Sequence, residues 1–256
     1  MEITTRHKTF LLGGYDLEML TIKQMLEGKD DCVVIDKQLR WDNAHLSAYK
    51  DELPQHTYNN IYGIELQEDI TLPENYHRID HHNDWDDRPS ALEQVAMVVG
   101  VTLNRYQQLV AANDRGYIPA MQNLSATKEE IGEIRRRDRE AQGVTEAEER
   151  LAEETIGNHL QRCGTLVIVK SQTSRFSPIC DRLYPYQRLF IYTDQEWMFY
   201  GEGKKDLAEL LKDAILQGKV FHGGGDNGYI GCIRQAFSKE EIETFVNELK
   251  QKYEHI

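Results

Sequence analysis

Short apolar runs, each ending at glycine or at a carboxylate, constrain the first 80 or so residues of this chain more than any other feature. Lys8-Thr9-Phe10-Leu11-Leu12 stops at Gly13-Gly14, Cys32-Val33-Val34-Ile35 stops at Asp36, and Asn60-Ile61-Tyr62-Gly63-Ile64 runs into Glu65. Runs of this length and β-branched content are expected as strands of a parallel sheet buried on both faces. Between the first two, Leu17, Leu20, Ile22, Met25 and Leu26 give a helix its apolar face, with Asp16 placed to cap its start and Gly28 to end it. Strand, helix and strand in succession build a doubly wound α/β sheet, in which ligands gather beyond the carboxyl ends of the strands.

Composition removes several classes of function. The 256 residues suffice for one or two domains. A net charge of −13 disfavours coating long double-stranded nucleic acid, while leaving room for a local pocket that takes a short phosphate ligand. Cys32, Cys163, Cys180 and Cys232 are far apart and form no Cys-x-x-Cys pair, so free thiols are expected rather than a zinc ribbon or a disulfide framework. No run is apolar enough to cross a membrane, and residues 1–8 are too polar for the core of a signal peptide, which makes the cytoplasm the expected compartment.

The stretch richest in chemistry follows the next apolar run, where Tyr76-His77-Arg78-Ile79 leads into Asp80-His81-His82-Asn83-Asp84. Imidazole and carboxylate groups at the end of a parallel strand would face the crevice where substrates bind. The Asp-His-His triplet resembles the signature of the DHH phosphoesterase superfamily, and other segments fall in that family's order. Leu12-Gly13-Gly14-Tyr15-Asp16-Leu17-Glu18 aligns with its first motif, His-x-x-x-Asp-x-Asp, with Glu18 for the second Asp and Leu12, which offers no ligand atom, for the His. Glu65 stands where the family carries a bridging carboxylate, and Asp114-Arg115-Gly116 resembles the fourth motif. The resemblance implies Glu18, Glu65, His81 and Asp114 around one Mn²⁺ or Mg²⁺ ion and Asp16 with Glu65 as a partial set for a second. It also implies that His82 faces the scissile phosphate and that Asp80 orients His81 or holds the loop. Carboxylates with one imidazole suit these ions.

On their residues alone, other uses stay open. Asp16 can be a helix cap and Asp114 a turn cap, and His45 either substitutes for the ligand missing at Leu12 or is a solvated or capping histidine. Ser90 and Glu93 have the spacing of a capping box, and Asp84, Asp86 and Asp87 fit a solvated loop.

Beyond Ser125 the composition changes. Glu, Arg, Ala and Gln dominate residues 125–162, with opposite charges three or four apart, as in a charged helical linker. Acidic neighbours offset Arg135-Arg136-Arg137, which weakens a nucleic-acid role there. Residues 163–256 read as a smaller α/β domain, with strands at 165–169, 188–192 and 197–200 and helices at 207–217 and 238–253. Between those helices, His222-Gly223-Gly224-Gly225-Asp226 exposes backbone amides that can cradle an anion, or else turns a hairpin. The run resembles the Gly-Gly-Gly-His loop of the DHHA1 domain that accompanies DHH domains in oligonucleotide-degrading members, with Asp226 where the His belongs. The resemblance thus implies substrate binding by His222, Gly223, Gly224, Gly225 and Asp226, assisted by Arg175 and Arg234.

The expectation is a DHH-type metal-binding catalytic domain at 1–124, a linker at 125–162 and a DHHA1-like substrate-binding domain at 163–256, with the active site in the cleft between the two domains. It would hydrolyse a phosphodiester or phosphomonoester of a nucleotide or short oligonucleotide, with no membrane partner; the glycine run favours this branch over pyrophosphatases. Leu12 and Asp226 support an alternative, a catalytically impaired relative that binds a nucleotide as a sensor or interaction module.

Overall fold

The computed structural model describes residues 7–82, 85–224 and 227–254. Residues 1–6, Asp84 of the acidic run, and Gly225 and Asp226 of the glycine loop lie outside the described residues. The chain forms two compact units, Met1–Gly143 and Val144–Ile256.

The first unit contains β1 (Lys8–Leu11), α1 (Leu17–Leu26), β2 (Cys32–Ile35), β3 (Asn60–Ile64), β4 (Tyr76–Ile79), α2 (Ala91–Val99), α3 (Arg105–Asn123) and α4 (Lys128–Ala141). Its strands lie in the order β2-β1-β3-β4, all parallel, with Lys8 opposite Cys32 on one side of β1 and Asn60 on the other. The strand order reverses between β1 and β3, so a crevice opens beyond their carboxyl ends. Leu11 and Ile61 pack with Leu39, Leu46, Tyr49 and Leu66 in one core cluster. Helices α2, α3 and α4 all pack on α1. The Ser90 and Glu93 capping box is present at the start of α2. Helix α3 breaks where Gly116 and Tyr117 leave helical geometry; Pro119, lacking an N–H, cannot bond back to the Arg115 carbonyl.

The charged segment 125–162 is divided between the units. Helix α4 buries Ile134, Arg135, Asp138 and Arg139 against the first. The second unit begins with α5 (Glu146–His159), followed by β5 (Leu160–Cys163), β6 (Leu166–Lys170), α6 (Ser177–Leu183), β7 (Arg188–Tyr192), β8 (Trp197–Gly201), α7 (Lys204–Leu210), α8 (Lys212–Leu216), β9 (Val220–Gly223), β10 (Tyr229–Cys232) and α9 (Lys239–Tyr253). Its strand order is β5-β6-β7-β8-β10-β9, and only the β6–β7 pair is parallel. Alternate residues of one strand serve two cores. Leu166, Ile168, Phe190 and Phe199 pack with residues of α7 and α9, while Val167, Val169, Leu189 and Ile191 pack with residues of α5 and α6. Helices on both faces account for the unbroken apolar run of β6.

The four cysteines are free. No described helix is long and apolar enough to cross a membrane.

Candidate metal centre

The candidate site is assembled at the carboxyl ends of the first unit's sheet. The turn after β1 must pass closely over the end of β3, and Gly13 makes this approach: a Cβ there would lie 2.4 Å from the Ile64 carbonyl oxygen and 2.8 Å from that of Glu65. Asp16 then caps α1 by accepting from the Met19 N–H at 2.8 Å, so the capping role is real. The same carboxyl is buried, 4% exposed, and adds to the negative charge around Glu18 and Glu65. One oxygen of Glu18 accepts from the Leu92 N–H at 2.9 Å, at the N-terminal end of α2, where unpaired amides favour an anion. Its other oxygen points towards His81.

Glu65 leaves β3 with φ of +50°, a conformation rare for a side chain of this size, while its N–H remains tied to the Ile79 carbonyl at 2.8 Å. Four residues there, Glu65, His81, His82 and Asp114, each offer a ligand atom within 4.8 Å of the others. His81 Nε2 lies 3.1 Å from Glu65 Oε1, 2.5 Å from Asp114 Oδ2 and 3.9 Å from Glu18 Oε2. Yet His81 Nε2, Asp114 Oδ2, Glu18 Oε2 and both Glu65 oxygens are buried without completing a hydrogen bond. Buried polar atoms rarely go unpaired, and when several point to one centre a bound ion explains them. Metal–ligand bonds of about 2.0–2.6 Å fit separations of this size. The donor set therefore fits a divalent ion with oxygen and imidazole ligands.

Without an ion, the cluster strains its own charges. Burial, with the charge of Asp114 second, raises Asp16 from an ordinary 3.8 to about 8. The same two causes, in that order, raise Glu18 and Glu65 well above the usual carboxylate range. Burial pushes His81 down, but the carboxylates of Asp114 and Glu18 outweigh it and the net direction is up. Asp80 behaves differently: burial works to raise it, and its contacts with His82 prevail and hold it below its ordinary value. Asp80 Oδ1 accepts from the His82 backbone N–H at 2.9 Å and lies 3.4 Å from His82 Nδ1. Of the two roles expected for Asp80, the contacts found are those of holding the loop, and the ring it faces belongs to His82.

Residues outside this set complete the surroundings. Behind Asp114, the buried Arg135 donates to Asn113 Oδ1 at 2.9 Å and to Asp138 Oδ2 at 2.7 Å. Leu12 is 2% exposed, and its carbonyl accepts from the Tyr49 hydroxyl at 2.6 Å. His45 lines a cavity of about 730 Å³ that also meets Glu65, Asp80 and His82, but its nearest charged partner is Asp69, 3.5 Å away. Trp41, which opens a short 3₁₀ turn over Trp41–Asn43, approaches His82 edge-on with ring centroids 5.5 Å apart.

No family model matches the sequence, and no curated protein matches it. Among solved structures, PggH, a pGpG-specific phosphodiesterase from Vibrio cholerae, aligns over 98% of this chain and 99% of its own with a TM-score of 0.52 and 12% identity. The chain has the DHH phosphoesterase fold. The DHH domain of a member of a ribosomal protein family aligns over 96% of this chain and 87% of its own, at TM-score 0.47 and 12% identity. Exonuclease RecJ bound to manganese aligns over 97% of this chain and 90% of its own, at TM-score 0.40 and 9% identity. Within the DHH fold, the candidate centre lies where β1, β3 and β4 end.

In the second unit, His222 and Gly223 end β9, which pairs antiparallel with β10, His222 opposite Ile230 and Gly223 opposite Tyr229. Gly224 has φ of +70°, and a Cβ on Gly228 would collide with the carbonyl oxygens of Gly223 and Gly224 at 2.0 and 2.3 Å. Gly223 gives its space to the Tyr229 ring, whose hydroxyl oxygen would be 2.6 Å from an added Cβ. Arg175 faces Glu148 at 3.6 Å, and Arg234 donates to Gln195 at 2.6 Å beside a separate cavity of about 360 Å³.

Proposed function

We propose that the protein is a divalent-metal-dependent phosphoesterase acting on a phosphodiester or phosphomonoester of a nucleotide or short oligonucleotide. The observation that carries this reading is the convergence of unpaired, buried oxygen and nitrogen atoms from Glu18, Glu65, His81 and Asp114 at the carboxyl ends of a DHH-fold sheet. These residues would hold Mn²⁺ or Mg²⁺, with Asp16 beside them as part of a weaker second set. A bound ion supplies charge neutralisation at phosphoryl oxygens and lowers the pKa of water. His82, with a side chain 40% exposed, is the member of the cluster best able to reach a substrate oxygen, where it acts as an acid or as a charge stabiliser. Asp80 fixes its position through the backbone and the ring. PggH is described as specific for pGpG, a small nucleotide, which supports the substrate class. The β9–β10 hairpin, with Arg175 or Arg234, is the proposed second contact with substrate.

The test is turnover of a panel of dinucleotides and bis(p-nitrophenyl) phosphate with Mn²⁺ present, comparing wild type with His81→Ala and Asp114→Asn. Loss of turnover in both variants, with the fold retained, is the expected result. Leu12 favours a second reading, because it is apolar and buried where the family's first motif carries a histidine. A wild-type protein that binds a nucleotide tightly and hydrolyses none of the panel would decide for that binder.

A further inference from the structure

The cavity next to the candidate metal centre has a character unlike a phosphate pocket. Its volume of about 730 Å³ lies within the range of roughly 300–1,000 Å³ common for small-molecule sites. Apart from Glu65, which the ion would engage, its charged wall is mostly acidic, with Asp42, Glu68 and Asp80 facing Arg78. That arginine is already engaged, since its guanidinium forks onto both oxygens of Glu68, with Nε at 2.7 Å from Oε1. A polyanion placed deep in this cavity would meet repulsion. An uncharged flat group would not.

Trp41 supplies the matching surface. The atoms nearest to a Cβ built on Gly14 are Trp41 Cδ2, Cε2 and Cγ, at 2.6 to 2.9 Å, so the flat face of the indole lies on the bare backbone of Gly14. The parallel bridge between Gly14 and Leu39 holds the segment leading to Trp41 against the β1 turn. The ring is thus fixed from one side while the residue remains 45% exposed on the cavity wall. Its edge contact with His82 places that wall directly beside the cluster.

We propose that Trp41 is the stacking platform for the nucleobase of the substrate, so that the acidic cavity takes the base while the phosphate stays at the metal centre. This assignment of a base subsite rests on the phosphoesterase reading for the position of the phosphate. Stacking of one base on an aromatic side chain is worth about 1–3 kcal/mol, which converts to about 5- to 150-fold in affinity.

The experiment measures binding of AMP, GMP and ribose 5-phosphate to the Mn²⁺-loaded protein, by calorimetry and by indole fluorescence, for wild type, Trp41→Phe and Trp41→Leu. The leucine keeps apolar cover over Gly14 without an aromatic face. The expected result is that Trp41→Leu weakens AMP and GMP by about 5- to 150-fold, leaves ribose 5-phosphate within about twofold and removes the nucleotide-induced quenching, while Trp41→Phe retains most of the affinity. Equal losses for all three ligands, or no loss for the nucleotides, would overturn the platform. Base-dependent binding without turnover would leave the platform standing and defeat the phosphoesterase reading. Turnover with no preference for a base would do the reverse, and failure of wild type to bind any of the three ligands would defeat both.

Discussion

Raising the pH in the absence of divalent ions should destabilise the first unit, and Asp16 sets the size of the effect. In the metal-free fold its carboxyl titrates at about 8 instead of the ordinary 3.8, chiefly because it is buried and secondarily because Asp114 is near. The native state therefore holds a proton that the unfolded chain has released. Stability from this group is fully present below about pH 4 and is lost as the pH climbs to about 8, at about 1.4 kcal/mol for each pH unit. The whole interval amounts to about 6 kcal/mol, a large part of the roughly 5–15 kcal/mol that separates folded from unfolded domains. At 4% exposure, solvent does little to screen this cost. Glu18 and Glu65 shift in the same direction, so they add to the loss.

The assay is urea unfolding in EDTA from pH 5 to 8, repeated with Mn²⁺. Wild type should lose stability steadily with rising pH in EDTA and regain it with Mn²⁺, because ligands that bind only the native state stabilise it. Asp16→Asn keeps an acceptor for the Met19 N–H and removes the ionisation, so its slope should be shallower by about 1.4 kcal/mol per pH unit. Metal-free stability that is flat or rises between pH 5 and 8, or an Asp16→Asn slope equal to wild type, would refute the reasoning.

Other consequences can be checked separately. His82→Ala should lower kcat by about 10²- to 10⁴-fold while Mn²⁺ affinity measured by calorimetry stays within a few-fold; an affinity loss matching that of His81→Ala would make His82 a ligand instead. Gly13→Ala should cost about 1–3 kcal/mol in urea unfolding, because its Cβ meets backbone oxygens of Ile64 and Glu65, and should also weaken Mn²⁺ binding by displacing Glu65. Gly224→Val combines φ of +70° with a Cβ 3.0 Å from Gly228 Cα, so it should raise KM for nucleotide substrates without altering Mn²⁺ affinity. An unchanged KM would leave the hairpin as a turn alone.

Much of the fold was legible because strands rich in apolar and β-branched residues leave a clear record, even at the sheet edge, where β2 has no buried residue and Val33 is exposed. The runs at β1, β2, β3, β6 and β7 are largely apolar, and each emerged as a strand close to its expected bounds. β9 and β10 were legible only through the hairpin alternative for the glycine run, because glycine closes β9 and interrupts β10. Gly231 in β10 makes room for the Met198 side chain, whose sulfur would lie 1.9 Å from an added Cβ, and such a position weakens the sequence signal of a strand. The helix at 207–217 divides at Leu211 into α7 and α8, which periodicity alone does not reveal. Segment 125–162 shows the opposite limit: its composition is that of a charged helical linker, yet Arg135 and Asp138 are buried as partners. Composition records charge, and only packing shows when two charges satisfy each other out of water.

The candidate centre was legible for a related reason. Side chains that must converge on one point at the end of a parallel sheet have to follow the strands themselves, so Glu65 and His81 stand just after β3 and β4 in the sequence as well as in space. Asp114 comes from a helix, and its Asp-x-Gly spacing looked like a turn because Gly116, two residues on, does leave helical geometry. What adjoins the centre obeys no such rule. Trp41 reaches His82 through a loop whose course depends on the bridge between Gly14 and Leu39, a contact that no periodicity announces. Chemistry that needs several donors at one atom is therefore written along the chain, while the walls that would choose among substrates are set by loop paths and must be read from the structure.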